Sequence, residues 1–178
     1  MTAEQIKKYN AEPVYNKAGI VVSYSFSPMS NGIKYFIDTY GADLVKAVKN
    51  SGVYFATAAA QKMVESGHGT STFATKYNNF GGIKNFGKLK GASGTTSNGY
   101  AIFDSAYDCF VAYIDILKDT SKKYLSKGLL TAKSPEEQLM SIANGGYCAN
   151  PKDPKVYAKP IIKHIDMILS MYPIGKIK

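Results

Sequence analysis

The 178-residue sequence has no tryptophan and only two cysteines and two histidines. Cys109 and Cys148 are too few for a disulfide framework, and the cysteines and histidines do not show metal-ligand spacing. We therefore expect two thiols, no metal site and no cofactor. No apolar run approaches the length of a membrane span, so we also expect no membrane-spanning segment.

Acidic residues are scarce as well: 13 Asp and Glu stand against 22 Lys and Arg, which gives a formal net charge of +9. Such an excess attracts an anionic polymer, either a bacterial envelope or a nucleic acid. The lysines are scattered rather than gathered in a basic arm, so we expect no nucleic-acid partner. A hydrophobic content of 45% excludes a disordered chain and fits one compact domain, which we expect to be a monomer.

Residues 58–69 (AAAQKMVESGHG) contain the most informative side chain, Glu65. The glycine at position 67 predicts the end of an apolar helix, which places Glu65 in its last turn. The negative end of the helix dipole and partial burial disfavour an ionised carboxylate there, which suits a general acid. A solvated glutamate at a helix end is the alternative. Helical spacing predicts a second stripe, neither charged nor purely apolar, that could line a groove: Tyr54, Ala58, Gln61 and Glu65.

The rest of the chain predicts mainly helices. Asp43 to Asn50 fits a short amphipathic helix, and residues 84–103, rich in Gly, Lys, Ser and Thr, fit a β-hairpin or flap. Further helices are expected after Asp104 or Ser105, from Ser134 to about Asn144, and from Asp153 onward. Pro160 is expected to kink or break the last helix. Residues 1–40 fit an extension packed on the same domain, with one short helix, a loop rich in Pro, Gly and Ser, and a helical turn at 32–40.

Four ordered blocks resemble the peptidoglycan N-acetylglucosaminidases of glycoside hydrolase family 73. They are residues 58–69, residues 74–84 (ATKYNNFGGIK), residues 100–105 (YAIFDS) and the pair Gly146–Tyr147. The resemblance implies a mainly α, lysozyme-like α+β fold, in which a helical lobe carries a small β-hairpin flap over a substrate groove. The match runs from about Asp43 to about Ile168 and implies a glucosaminidase domain over residues 41–178. Its implied partner is the glycan strand of bacterial peptidoglycan.

The resemblance also implies roles for individual residues. Glu65 would protonate the leaving oxygen, and Tyr147 would come close to it and orient the substrate's acetamido group. A packed loop anchor is the alternative for Tyr147, and a structural turn residue is the alternative for Asn79. The residues expected to bind substrate are Gln61, Tyr77, Asn79, Phe80, Gly82, Ile83 and Tyr100.

One departure from the family pattern concerns the second carboxylate that glycosidases use. No Asp or Glu lies between Glu65 and Asp104, and a helix N-cap explains Asp104. Glu65 would then work either with the acetamido group as nucleophile or alone, as acid and then as base. The alternatives to a glucosaminidase are a muramidase or lytic transglycosylase, which acts on the N-acetylmuramic acid side, and a non-catalytic glycan-binding module.

The first ten residues lack the basic-then-apolar order of a secretory signal. For an enzyme that acts in the cell wall, this predicts a phage lysin, carried in the host cytoplasm or the virion, or a mature secreted fragment.

Overall fold

The N-terminal residues form a helix and a β-hairpin where the sequence predicted a helix and a loop. The computed structural model describes residues 1–87, 89–148 and 153–178. Helix α1 (Ala3–Lys8) is followed by strands β1 (Ala11–Tyr15) and β2 (Val21–Phe26), which pair antiparallel. The side chain of Asn16 accepts hydrogen bonds from two backbone amides of the connecting turn and so stabilises the reversal of the chain.

Helix α2 (Met29–Val48) is one continuous helix of 20 residues. This corrects the prediction of a helical turn at 32–40 followed by a separate helix from Asp43. Glycine costs about 1 kcal/mol inside a helix, and at Gly41 burial of the apolar stripe outweighs that cost. The buried residues of this stripe are Ile33, Phe36, Leu44 and Val48.

The remaining helices and the hairpin that the sequence predicted occur in the predicted order, whereas the short helix Thr72–Tyr77 and the 3-10 turns were not predicted. Ser134 and Asp153 cap their helices as expected, and Ser105 rather than Asp104 accepts the capping hydrogen bond from Asp108 N. Pro160 does not end the last helix. The elements are α3 (Phe55–Ser66), α4 (Thr72–Tyr77), β3 (Ala92–Thr95), β4 (Ala101–Phe103), α5 (Ala106–Lys118), α6 (Pro135–Asn144), α7 (Pro154–Met171) and the 3-10 turns Leu125–Lys127 and Pro173–Lys176.

The fold class is mainly α with small antiparallel hairpins, which confirms the prediction; β3 and β4 form the hairpin expected within 84–103. The chain divides into two compact units. Unit 1 comprises Met1–Ala42 and Lys62–Cys109, and unit 2 comprises Asp43–Gln61 and Phe110–Lys178. Within the described residues, no helix has both the length and the apolar character needed to cross a membrane.

In unit 1, the N-terminal segment packs on the turn that follows α3. Tyr24 N donates a 2.9 Å hydrogen bond to Thr70 Oγ1, and Tyr40 Oη donates a 3.1 Å bond to Gly69 O. Burial raises the pKa of Tyr40, so its hydroxyl keeps the proton that it donates. A series of ring contacts continues from the N-terminal segment to the loop after α4: Tyr9, Tyr35, Phe26, Tyr40, Phe36 and Phe80.

In unit 2, the buried side chain of Gln138 fixes the start of α3. Its Oε1 accepts a 2.7 Å bond from Tyr54 N, and its Nε2 donates to Gly52 O and Leu129 O at 2.9 and 2.8 Å. Burying an amide is favourable only when its donors and acceptors are satisfied, as they are here. The N-terminal end of α3, the helix that carries Glu65 in its last turn, is therefore fixed by a side chain of α6.

We predict that Thr70→Val lowers the free energy of unfolding by about 1–2 kcal/mol, because the variant keeps the shape of the side chain but leaves Tyr24 N without this acceptor. Urea denaturation measures the change. Thr75→Val is the matched control, since Thr75 is exposed and bonds only within its own helix region, to Ser71 O and Thr72 O. The control should change stability by less than about 0.5 kcal/mol. Equal effects of both substitutions would contradict a bracing role for Thr70.

Candidate active site

Glu65 lies in the last turn of α3, as the sequence predicted, and a tightly bonded turn follows it. Gly67, His68 and Gly69 all adopt left-handed backbone conformations, with φ of 57°, 56° and 79°. Ser66 Oγ donates to Lys62 O and accepts a 2.8 Å bond from Gly69 N. The hydroxyl therefore joins the last helical turn to the turn beyond it, and the backbone that carries Glu65 is fixed on both sides.

The carboxylate of Glu65 forms an ion pair with Lys62, one helical turn earlier. Lys62 Nζ lies 2.6 Å from Glu65 Oε2; the Lys62 side chain is fully buried, and that of Glu65 is 16% exposed. Lys62 is a residue that the sequence analysis missed. The available signal was the i, i+3 spacing of opposite charges on an otherwise apolar helix.

Glu65 borders a small pocket within unit 1. The pocket volume is about 210 Å³, below the ~300–1,000 Å³ of typical small-molecule sites, so it suits one part of a larger ligand. Aromatic faces, a carboxylate, a hydroxyl and an amide meet here, which is a surface that can stack on a sugar ring and bond its hydroxyls. The lining residues are Glu65, Ser71, Phe73, Asn79, Gly82 and Tyr100.

The side chain of Asn79 holds the loop that forms one wall of the pocket. Its Nδ2 donates to Ile83 O and Ala101 O, both at 2.9 Å, and its Oδ1 accepts from Ile83 N at 2.9 Å. The residue is buried and yet borders the pocket. The structural alternative considered for Asn79 is therefore realised, and its proposed contact with substrate stays a prediction.

Three of the residues expected to bind substrate line the pocket: Asn79, Gly82 and Tyr100. Gly82 has a φ of 57°, which favours glycine at this position. Tyr100 packs edge-to-face on Phe73 at 4.7 Å, and Lys84 Nζ lies 3.4 Å from the centre of its ring. Ser71 and Phe73 complete the lining and were missed, because nothing in their local sequence separates them from ordinary residues of a helix start.

Other residues expected to bind substrate have buried or half-buried side chains, and their contact with substrate stays a prediction. Phe80 is fully buried and Ile83 nearly so, because both pack in the hydrophobic core. Gln61 is also fully buried: its Nε2 donates to Tyr157 Oη at 2.7 Å and its Oε1 accepts from Tyr113 Oη at 2.5 Å. Tyr77 is half-buried against Phe73, with ring centres 5.6 Å apart.

The four residues of the stripe predicted on α3 therefore do not all face a groove. Ala58 and Gln61 are both fully buried, whereas Glu65 borders the pocket. Helical spacing identifies a common face but does not show whether that face meets solvent or other helices.

Tyr147 belongs to a cluster of tyrosines in unit 2. Its ring centre lies 6.1 Å from those of Tyr113 and Tyr124 and 6.4 Å from that of Tyr157. It follows Gly146, whose φ of 83° allows the sharp exit from α6. These ring contacts agree with a loop anchor, and the catalytic role implied by the resemblance stays a prediction.

The turn of the β3–β4 hairpin carries hydroxyl and amide groups where the family pattern has a carboxylate. Thr96 Oγ1 accepts a 3.0 Å hydrogen bond from Tyr100 N across the turn, and Thr96 N donates a 2.8 Å hydrogen bond to Tyr100 O. Asp104 follows the hairpin as an exposed residue, and the N-cap explanation for it is wrong because Ser105 takes that position.

Cys109 lies under the loop at the pocket, and its Sγ accepts a 3.4 Å hydrogen bond from Phe80 N. Burial is the main cause that raises the pKa of this thiol to about 11. Among the described residues, no group of three or more His, Cys, Asp or Glu side chains could hold a metal ion.

The fold is shared with several solved hydrolase structures. The glycoside hydrolase domain of FlgJ from Salmonella typhimurium matches with 22% identity and a TM-score of 0.59, over 78% of this chain and 89% of that one. A peptidoglycan hydrolase from Sphingomonas sp. A1 matches with 20% identity and a TM-score of 0.58, over 78% and 94%. The catalytic domain of the autolysin Auto from Listeria monocytogenes matches with 20% identity and a TM-score of 0.60, over 92% and 98%.

These likenesses show that the chain shares the fold of these hydrolase structures. The family model described as mannosyl-glycoprotein endo-beta-N-acetylglucosaminidase, or glucosaminidase, matches residues 41–169. The chain therefore belongs to the glucosaminidase family, which confirms the resemblance and makes it a glycoside hydrolase. No curated protein sequence matches the chain at a significant level.

We predict that Cys109 resists alkylation by iodoacetamide at pH 8 in the native protein. The thiolate is the reactive form, and a thiol of pKa about 11 is ionised in only about one molecule in a thousand at that pH. Peptide mapping by mass spectrometry measures the labelling. The same treatment in guanidinium should modify Cys109 fully, because unfolding removes the burial. Labelling of the native thiol at the rate of an ordinary cysteine would contradict the prediction.

Proposed function

We propose that this protein is a peptidoglycan hydrolase that cleaves the glycan strand at N-acetylglucosamine β-1,4 bonds, with Glu65 as the general acid. The observation that carries the proposal is the carboxylate of Glu65, 16% exposed, at the edge of a pocket lined by aromatic and amide groups. Membership in the glucosaminidase family supports the reaction type. It also favours an enzyme over the non-catalytic module.

Peptidoglycan is the substrate class that the structural neighbours support. Two of them are named as a peptidoglycan hydrolase and an autolysin. The family description mentions mannosyl-glycoproteins, but the net charge of +9 favours an anionic wall polymer over a neutral glycan. The bacterial cell wall is therefore the proposed site of action.

The proposed mechanism uses one protein carboxyl. Glu65 gives its proton to the glycosidic oxygen as the bond from that oxygen to the anomeric carbon breaks, and the bonding electrons stay on the leaving oxygen. The carbonyl oxygen of the substrate's acetamido group attacks the anomeric carbon and forms a cyclic oxazolinium ion. Water then attacks that carbon, the ring opens, and the Glu65 carboxylate takes the water's proton.

The pocket composition supports this route. Glu65 is the acid among the six lining residues, and the hairpin turn that would carry a second one bears Thr96 and Asn98 instead. Tyr100 and Phe73 would stack on the sugar, while Asn79 and the Gly82 backbone would lie along it. Tyr147 would orient the acetamido group, as the family resemblance implies.

We predict that Glu65→Gln lowers kcat by about 10²–10⁴-fold, because the amide cannot supply the proton. Release of reducing ends from purified cell walls measures the rate. Glu12→Gln, an exposed glutamate on β1, is the matched control and should keep wild-type activity. Wild-type activity in Glu65→Gln would disprove the assignment of the acid.

The bond that is cut can be read from the products. We expect reducing-end N-acetylglucosamine in mass spectra of digested, borohydride-reduced peptidoglycan. A second candidate, cleavage on the N-acetylmuramic acid side, gains support from the single acid at the pocket, since an intramolecular attack by a sugar hydroxyl also needs only one. Reducing or anhydro N-acetylmuramic acid would establish that candidate and refute the first.

The acetamido route makes a further distinction possible in digests that are left unreduced, so that the new reducing end keeps its anomeric centre. Two successive displacements at the anomeric carbon retain its configuration, whereas direct attack by a water that Glu65 activates inverts it. Proton NMR during the first minutes should therefore show the β-anomer. An initial α-anomer would exclude the oxazolinium route.

A further inference from the structure

Lys62 is a fully buried lysine in direct contact with the proposed acid, and the proposed mechanism so far gives it no role. Taking an ammonium group out of water is energetically unfavourable unless a partner compensates. Lysine is therefore almost never fully buried without a pairing interaction. Its 2.6 Å hydrogen bond to Glu65 Oε2 compensates in both protonation states of that side chain. The oxygen accepts the bond as a carbonyl oxygen while the other oxygen carries the acidic proton, and as a carboxylate oxygen once that proton has left.

The backbone at Gly81 passes close to this ion pair. A methyl group at Gly81 would collide with both Lys62 Nζ and Glu65 Oε2, so the loop passes directly over the two charged groups. Gly81 has no left-handed φ that would call for glycine on backbone grounds. Close packing against the ion pair is thus the reason for glycine at this position.

In the proposed reaction the charge of Glu65 changes, because it loses a proton, whereas the charge of Lys62 does not. When Glu65 gives up its proton, a carboxylate forms where little water reaches it, since its side chain is 16% exposed. An ammonium in contact stabilises such a charge far more strongly in a poorly hydrated site than in water. The same contact then keeps the carboxylate in place to accept the proton of the attacking water.

We propose that Lys62 is a positioning residue for the reaction: its ammonium holds the Glu65 carboxyl and stabilises the negative charge that develops there during proton transfer. Lys62 keeps its own proton throughout and does not touch substrate. This inference rests on the proposed function, because it assumes that Glu65 is the acid.

Lys62→Met and Lys62→Gln test the inference. Methionine fills a similar volume and removes both the charge and the hydrogen bond, whereas glutamine keeps a donor and removes the charge. We expect both to lower kcat by about 10–100-fold and to change KM by less than about threefold, because the binding surface is unaltered. The exposed residue Lys34 provides the matched control, and Lys34→Met should behave as wild type.

A binding measurement separates this role from a general loss of structure. Glu65→Gln and the double variant Glu65→Gln with Lys62→Met should sediment equally with purified peptidoglycan, because Lys62 acts through the carboxylate. Weaker binding by the double variant, or a raised KM in the single variants, would overturn the inference in favour of a purely structural role. If Lys62→Met does not fold, the kinetic result of Lys62→Gln decides.

The kinetic results also distinguish failure of this inference from failure of the proposed function. Wild-type kcat in both Lys62 variants, with Glu65→Gln inactive, would overturn the inference and leave the proposed function intact. Wild-type kcat in Lys62→Gln alone would overturn the part assigned to charge. Activity in Glu65→Gln itself would overturn the proposed function, and the inference would fall with it.

Discussion

The position of the pocket wall depends on one buried amide, that of Asn79. Its side chain bonds to both backbone groups of Ile83 and to the carbonyl of Ala101 on β4. These bonds add to the backbone hydrogen bond from Ala101 N to Ile83 O and to the bridge between Lys84 and Tyr100. A satisfied amide network in a poorly hydrated interior is rigid, because breaking any of its bonds leaves a buried group unpaired. The loop can therefore keep the Gly81 backbone so close to the Lys62–Glu65 pair that a methyl group at this position would collide with both side chains.

Elements with local determinants were predictable from the sequence. The end of α3 at Gly67 and the caps at Ser134 and Asp153 rest on side-chain and backbone preferences within a few residues. The N-terminal hairpin was not predictable, because a two-stranded ribbon is only marginally stable alone and depends here on the distant Thr70. Likewise, the continuity of α2 through Gly41 depends on burial of a stripe along its whole length.

The candidate site, like the fold, was predictable only where its residues belong to a local sequence pattern. Glu65 could be found because its helix end and the blocks that follow it form a recognisable pattern, and Gly82 and Tyr100 line the pocket as expected. The burial of Gln61 could not be predicted, since its partners are tyrosine hydroxyls from other helices. Lys62 was missed although its i, i+3 spacing to Glu65 was visible, because a lysine is usually solvated and only the fold shows that this one is buried.

The attachment of the N-terminal hairpin to the turn beyond Glu65 bears on how such domains can be exchanged between proteins. The family match begins at residue 41, which lies inside the continuous helix α2 (Met29–Val48). A chimeric enzyme assembled at that boundary would start in the middle of a helix and would lack β2, whose Tyr24 bonds to Thr70. For recombination, natural or designed, the exchanged segment thus includes the hairpin: a crossover before Thr2 keeps the bond between Tyr24 and Thr70, whereas one at residue 41 loses it.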